Sequence, residues 1–496
     1  MTEVTVETGR LSGRHDGKVF AYKGIPYAAP PVRELRWRPP APAARWDDTR
    51  PAHEYGPAPI QSQPPTTSVM WHANFADSRA LVMSEDCLYL NVWTPEPSTG
   101  AGLAVLVFLH GGGNRFGHGG LEVHDGAAVA ARGVVVVTLN MRLGALGFLA
   151  HPELAAEDEH GASGNYGLLD VLAALEWVQR NVDRFGGDPA RVTFAGNSAG
   201  AAIVTHLMAA GASRGLFQAA IGQSSSGIHR AEGRMPSQPE AQERGIAALG
   251  PLGGVPLDRL RHLPPVTFLV DAPLGVVVDG RLLRQDSEDV FELGHQLPVP
   301  LLLGTVTDEG SPYATAAAAD DLRRKVAAHG DVLAASYPVD DASVRASARA
   351  FVGETRFVHP VWRWARTHAA TSGAPVWLYR FDHRPPLPSA PELAPPPDGG
   401  ESYGAFHTSE LPYTADNLGF RPWDWRPADH ELARIMGDTW AQFVAAHDPN
   451  GPGLPDWPRF RDGADASVLV FGDPVRVGGV HRLGALETLR SLPRPL

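Results

Sequence analysis

The stretch Gly196-Asn197-Ser198-Ala199-Gly200 concentrates the most chemistry in this chain. A serine between two glycines follows the β-branched run Val192 to Ala195 and precedes an apolar segment, Ala201 to Ala210. That order reads as a strand, a sharp turn and a helix, with the serine hydroxyl held out at a strained corner. Glycines flank it because a Cβ would clash in so tight a turn, and the following helix directs its positive end at negative charge developing beside the serine. The pentapeptide alone could be a plain tight turn; the strand before it and the helix after it favour a nucleophile.

Acyl transfer by such a serine also needs donors for an oxyanion. His110-Gly111-Gly112-Gly113 directly follows the apolar run Leu103 to Leu109, and glycines let backbone N–H groups approach a carbonyl unobstructed. Gly112, Gly113 and Ala199, the residue after the serine, are the expected oxyanion donors. A phosphate loop is the rival use of such a run, but it would close on Gly-Lys-Ser/Thr, whereas Asn114-Arg115-Phe116 follows here.

Short, β-branched-rich runs bounded by turn residues, Leu103 to Leu109 and Val134 to Leu139, read as buried parallel strands. Between them and the serine, Tyr166 to Phe185 carries Leu169, Leu172, Leu175, Trp177 and Val178 at helical spacing and stops at Gly186-Gly187. Strand, helix, strand implies an α/β protein with a parallel sheet. Further strands of the same sheet are expected at Ala219 to Gly222, Pro300 to Gly304, Val376 to Phe381 and Val468 to Phe471. Alanine-rich Ala314 to Asp321 and the Pro/Gly-crowded Pro385 to Ser402 read as surface elaboration.

Charge and cysteine usage narrow the class. With 55 Asp+Glu against 43 Lys+Arg the net charge is −12, and no basic stripe appears, which argues against a nucleic-acid partner. Lysine occurs only at Lys18, Lys23 and Lys325, an arginine bias that points to GC-rich codons and a bacterial source. One cysteine, Cys87, excludes an intrachain disulfide, and the N-terminus alternates like a strand and shows no signal-peptide pattern, so the cytoplasm is expected. No apolar run approaches the roughly 20 residues needed to cross a bilayer.

In these residues the chain resembles the type B carboxylesterases, the group that includes bacterial nitrobenzyl esterases and animal cholinesterases. The similarity spans nearly the whole chain: YKGIPYAAPP at Tyr22 to Pro31, LRWRPP at Leu35 to Pro40, SEDCLYLNVWTP at Ser84 to Pro95, NMRLGALGFL at Asn140 to Leu149 and FGGDPARVTFAGNSAG at Phe185 to Gly200. The resemblance implies an α/β-hydrolase fold: a large, mostly parallel central sheet flanked by helices, with insertions forming the pocket mouth. It implies a single domain over residues 1–496, with insertions within 57–82, 227–272 and 314–402. It also implies a Ser-His-Glu triad. LLLGTVTDEGS at Leu301 to Ser311 matches the segment of the acid, making it Glu309, and YGAFHTSELPY at Tyr403 to Tyr413 matches that of the base, making it His407. Asp308 is the rival acid, but one place along a strand end it should face elsewhere.

By the same resemblance Arg36 should pair with Glu85 and Arg142 with Asp170, fixing loops around the site. Cys87 should be a free, partly buried thiol, because Gly56 to Gln61 lacks the usual disulfide partner. Ser224 could hydrogen-bond the acid or base, or merely cap an element. His110 and His206 should be structural. The implied reaction is hydrolysis of small to medium carboxylic esters through an acyl-enzyme, with no metal or other cofactor, by a monomer or small homo-oligomer independent of membranes. The same triad on an amide, carbamate or lactone, or in biosynthetic acyl transfer, is the competing reading; non-catalytic relatives lack a complete triad.

Two departures bear on substrate. The family usually has Glu before the nucleophile, and an aromatic residue after the oxyanion glycines; this chain has Asn197, and then Asn114 and Arg115. The expectation is a mouth that tolerates or binds an anionic group, unless Arg115 is simply a solvated loop residue. Cholinesterase activity is not expected, because Asp77 stands where those enzymes carry a cation-binding Trp.

Overall fold

The computed structural model describes residues 2–76, 79–228, 233–388, 393–463 and 466–494; Asp77 therefore lies outside the described residues. Twelve strands form one continuous sheet: β1 Thr2–Val6, β2 Gly9–His15, β3 Phe20–Pro26, β4 Tyr89–Thr94, β5 Leu103–Leu109, β6 Val135–Leu139, β7 Gly187–Asn197, β8 Ala219–Gln223, β9 Leu301–Val306, β10 Val376–Phe381, β11 Ser467–Phe471 and β12 Arg476–Gly479. Their spatial order is β1-β2-β3-β4-β6-β5-β7-β8-β9-β10-β11-β12, with the short Arg50–Pro51 strand beside β2. From β6 to β11 every neighbour is parallel; the two edges are antiparallel.

Side chains of the central strands alternate between two cores, as period-2 geometry requires. Val105, Val107 and Leu109 of β5 join one apolar cluster, and Ala104 and Leu106 the other. The first face is covered by α1 (Tyr166–Asn181), α2 (Ala199–Ala209) and α3 (His359–Ser372). Leu168, Val171, Leu175 and Val178 supply the buried stripe of α1 at spacings of three and four. The second face is covered by α4 (Pro427–Ala446) through Met436, Trp440 and Phe443. Burial on both faces explains why the strands read as continuous apolar runs rather than alternating ones.

Several boundaries differ from the sequence reading. The predicted helix ending at Phe185 closes with a tighter 3₁₀ turn, Val182–Phe185, and β7 is longer than Val192 to Ala195. The alanine-rich elaboration is a helix, Ala316–His329: Thr315 caps it by accepting from the Ala318 N–H, and Leu322 and Val326 are buried in a satellite cluster. Cys87 is almost wholly buried, not partly, and burial pushes its thiol pKa up, away from reactivity. No helix among the described residues is long and apolar enough to cross a membrane.

Two buried ion pairs tie the N-terminal loops to this frame. Arg36 meets Glu85 through two N–H donors at 2.5 and 2.8 Å, and Arg142 meets Asp170 of α1 at 2.6 and 2.8 Å. Remaining donors are satisfied too: Arg36 reaches the carbonyls of Leu260 and Leu263, and Arg142 that of Arg38. Such pairs are retained where losing one partner would strand a buried charge.

Candidate active site

The strand order reverses at β5, with β6 on one side and β7 on the other, and this is where a parallel sheet leaves a crevice at its carboxyl ends. In register, Leu109 of β5 faces Gly196 of β7, so His110 to Gly113 and Ser198 emerge side by side. Ser198 sits at φ 53°, ψ −123°, a strained backbone outside the regular regions. Its N–H donates to Gln223 O at 2.7 Å and its carbonyl accepts from Ala202 N at 3.1 Å, which hold the corner. The turn closes only with glycine: a Cβ on Gly200 would lie 2.4 Å from Leu109 O.

Glu309 lies three residues past the end of β9, and His407, far beyond the end of β10, is brought beside it by the parallel bridge between Asp308 and Phe406. Ser198 Oγ is 3.0 Å from His407 Nε2, and His407 Nδ1 is 2.6 Å from Glu309 Oε2. With Nδ1–H donating to the glutamate, Nε2 is left as acceptor for the serine proton. The other oxygen of Glu309 accepts from Val306 N at 3.0 Å. Asp308 turns away and clamps the loop that carries the histidine: its N–H donates to Ala405 O at 2.8 Å and its carboxylate accepts from Ala405 N at 3.0 Å. The His407 ring is stacked on Phe357, centroids 4.1 Å apart, with Tyr313 at 5.8 Å.

Gly112 (φ 109°) and Gly113 (φ 64°) line the same cavity as Ser198, and among the described residues no acceptor meets either N–H. Ala199 is the first residue of α2, where an N–H has no partner within the helix. Asn197 is buried and donates weakly to Gln223 O at 3.4 Å. Asn114, at φ 59°, makes the next turn and its carbonyl accepts from Gly144 N at 2.7 Å, so its backbone does the visible work. Arg115 reaches the rim of the crevice but is bound to Asp271 at 2.5 Å in a largely exposed pair. An exposed pair of this kind is worth about 1 kcal/mol or less.

His110 is buried, hydrogen-bonded through Nδ1 to Gly111 O at 2.7 Å, and burial pushes its pKa down to about 4, so it packs as a neutral ring. His206 is on the far side of α2, against Ser287 Oγ at 2.8 Å. Ser224 makes no hydrogen bond to Glu309 or His407; its hydroxyl lies beside Glu410 without closing a hydrogen bond among the described residues.

Glu410 is a residue the sequence reading passed over, although it lies three places beyond His407 within the matched segment. It is fully buried, with Gln223 Nε2 at 3.4 Å from one oxygen. Burial, reinforced by the charge of Glu309, pushes its carboxyl up to about 8, so it is protonated at neutral pH. The unfolded chain releases that proton near pH 4.5, so this group favours the folded state fully below about pH 4.5 and progressively loses that advantage up to about pH 8. Denaturant unfolding across that window should show stability falling with pH by up to about 1.4 kcal/mol per unit more in the wild type than in Glu410→Gln. Equal slopes in the two proteins would contradict a neutral Glu410.

The crevice opens into a cavity of about 730 Å³. Val69, Met70, Phe75, Phe116, Leu121 and Phe357 make most of its wall apolar, and Phe75 and Phe116 meet edge to face at 5.3 Å. Residues between Pro64 and Phe75, then Arg356, Phe357, Ala394, Pro395 and Pro397, contribute to the wall, whereas the 227–272 segment reaches the mouth through Asp271 on Arg115.

A serine, histidine and glutamate at the carboxyl ends of a mostly parallel sheet, beside a glycine loop with free N–H groups, define an α/β-hydrolase of the serine-esterase type. The chain belongs to the carboxylesterase family, whose model matches residues 1–249 and 265–481. It is 35% identical to a fumonisin B1 esterase of Sphingopyxis macrogoltabida, over 95% of this chain and 86% of that one. Against a para-nitrobenzyl esterase of Bacillus subtilis it is 30% identical, over 95% and 96%. The solved Geobacillus stearothermophilus carboxylesterase superimposes with a TM-score of 0.82 at 31% identity, covering 99% of this chain and all of that one. The protein is a carboxylic ester hydrolase.

Proposed function

We propose that Ser198 is the nucleophile of this esterase, His407 its general base and Glu309 the group that orients the imidazole. The observation that carries the assignment is the hydrogen-bonded chain from Ser198 Oγ through His407 to Glu309, opening onto an apolar cavity. His407 Nε2 takes the serine proton as Oγ attacks the ester carbonyl, and returns it to the leaving alcohol. The tetrahedral oxyanion is held by the N–H groups of Gly112, Gly113 and Ala199. Water, activated by the same histidine, then hydrolyses the acyl-enzyme. Every step uses residues of the chain itself, so no metal or organic cofactor is invoked.

The substrate is a small to medium carboxylic ester whose hydrophobic part fills the cavity, and fumonisin B1 joins the candidates through the relative named for it. One sheet running from β1 to β12 supports a single domain over residues 1–496, with insertions within 57–82, 227–272 and 314–402. The single cysteine and the arginine bias support a bacterial, cytoplasmic protein, and the net charge of −12 supports one that acts without nucleic acid; a monomer or small homo-oligomer independent of membranes completes the reading. The test is turnover of a chain-length series of p-nitrophenyl esters, with fumonisin B1 followed in parallel by mass spectrometry. Hydrolysis of at least one ester is expected; a folded protein that cleaves none would contradict the reading.

A further inference from the structure

Sorting the cavity wall by charge separates this pocket from the rest of the molecule. The chain carries a net charge of −12, yet among the described residues no Asp or Glu lines the cavity, and its charged lining residues are two arginines, Arg115 and Arg356. They reach it from two separate segments of the chain. Arg115 continues the oxyanion loop, and Arg356 immediately precedes Phe357, the ring stacked on His407. Arg115 is already bound to the Asp271 carboxylate. Arg356 is exposed, and no carboxylate among the described residues lies within ion-pair distance of it; its guanidinium instead lies 5.8 Å from the centre of the Tyr313 ring.

An unpaired guanidinium needs no partner while solvated, so its exposure alone decides nothing. Its position does. Tyr313, which it overlies, is itself 5.8 Å from the His407 ring, so the charge is one aromatic ring from the base. A planar guanidinium presents paired N–H donors that match a carboxylate. The apolar lower wall excludes water from whatever enters, and that strengthens an ion pair formed at the rim.

We propose that Arg356 determines specificity by receiving a free carboxylate on the ester, so that the preferred substrates are carboxylate-bearing esters. The inference rests on the esterase reading above and deepens it. Asn197, the residue before the serine, is neutral and adds no negative charge there.

The test measures kcat/KM on two matched pairs. One pair carries the charge on the acyl side, mono-p-nitrophenyl adipate against p-nitrophenyl hexanoate; the other carries it on the alcohol side, 4-carboxyphenyl butyrate against 4-carbamoylphenyl butyrate. In at least one pair the anionic-to-neutral ratio should fall about fivefold in Arg356→Gln, recover in Arg356→Lys, and shrink in the wild type as salt is raised. Neutral esters turned over with a ratio that Arg356→Gln leaves unchanged in both pairs would overturn the inference and leave the esterase reading standing. A folded wild-type protein that cleaves none of the four esters would overturn both.

Discussion

Ser198→Ala is expected to lower kcat/KM for a p-nitrophenyl ester by roughly 10⁴-fold or more, with the fold intact. The hydroxyl does no structural work that alanine would lose: its hydrogen bond is to His407, and the strained turn is held by the backbone N–H and carbonyl of residue 198. Alanine at φ 53° carries the same backbone strain as serine, so unfolding should move little. Steady-state kinetics with circular dichroism and thermal unfolding of both proteins check this. Residual activity within tenfold of wild type would mean that another group attacks the ester.

The second large effect is expected at Gly112. At φ 109° a side chain is already disfavoured, and a Cβ there would lie 1.9 Å from Phe116 O, so Gly112→Ala must displace the loop that presents the oxyanion donors. Losing one such donor costs about 2.7–4 kcal/mol of transition-state stabilisation, roughly 10²–10³ in kcat, with KM much less affected. Gly113→Ala is the informative comparison. A Cβ on Gly113 meets nothing within 4 Å, and φ 64° costs alanine only about 1 kcal/mol, so its loss should stay under about tenfold. Equal kcat losses in the two variants would contradict the donor geometry; a loss confined to KM at Gly112 would place that glycine in substrate binding instead.

What the sequence made legible followed from local physics. The strand, turn and helix around Ser198 are encoded within a few residues, by β-branched side chains, small flanking residues and an apolar helix, and the structure has the same three elements there. The glycine loop after β5 was visible for the same reason. Glu309 and His407 were different: nothing in their spacing from Ser198 dictates that they meet, and they were named through matched segments. The structure brings them within hydrogen-bonding distance because β7 and β9 end at one edge of the crevice and the Asp308–Phe406 bridge holds the histidine segment against the second of them.

The residues missed were those whose roles depend on non-local packing. Phe357 and Tyr313 reach His407 from positions far from it in sequence, and Arg356 is unremarkable in sequence among an arginine-rich set. Glu410 stood in plain sight within the matched histidine segment; its burial beside Glu309, which pushes its carboxyl pKa up, needs the fold. Arg115 drew attention by position alone, and only the structure supplies Asp271 as its partner.

The most direct measurement is reaction of the protein with a p-nitrophenyl alkylphosphonate, followed by the release of p-nitrophenol and by peptide mass mapping. One equivalent of p-nitrophenol per chain, a single phosphonyl adduct on Ser198 and parallel loss of esterase activity are the predicted result. Full esterase activity after exhaustive exposure, or an adduct on a different serine that accompanies inactivation, would contradict Ser198 as the nucleophile.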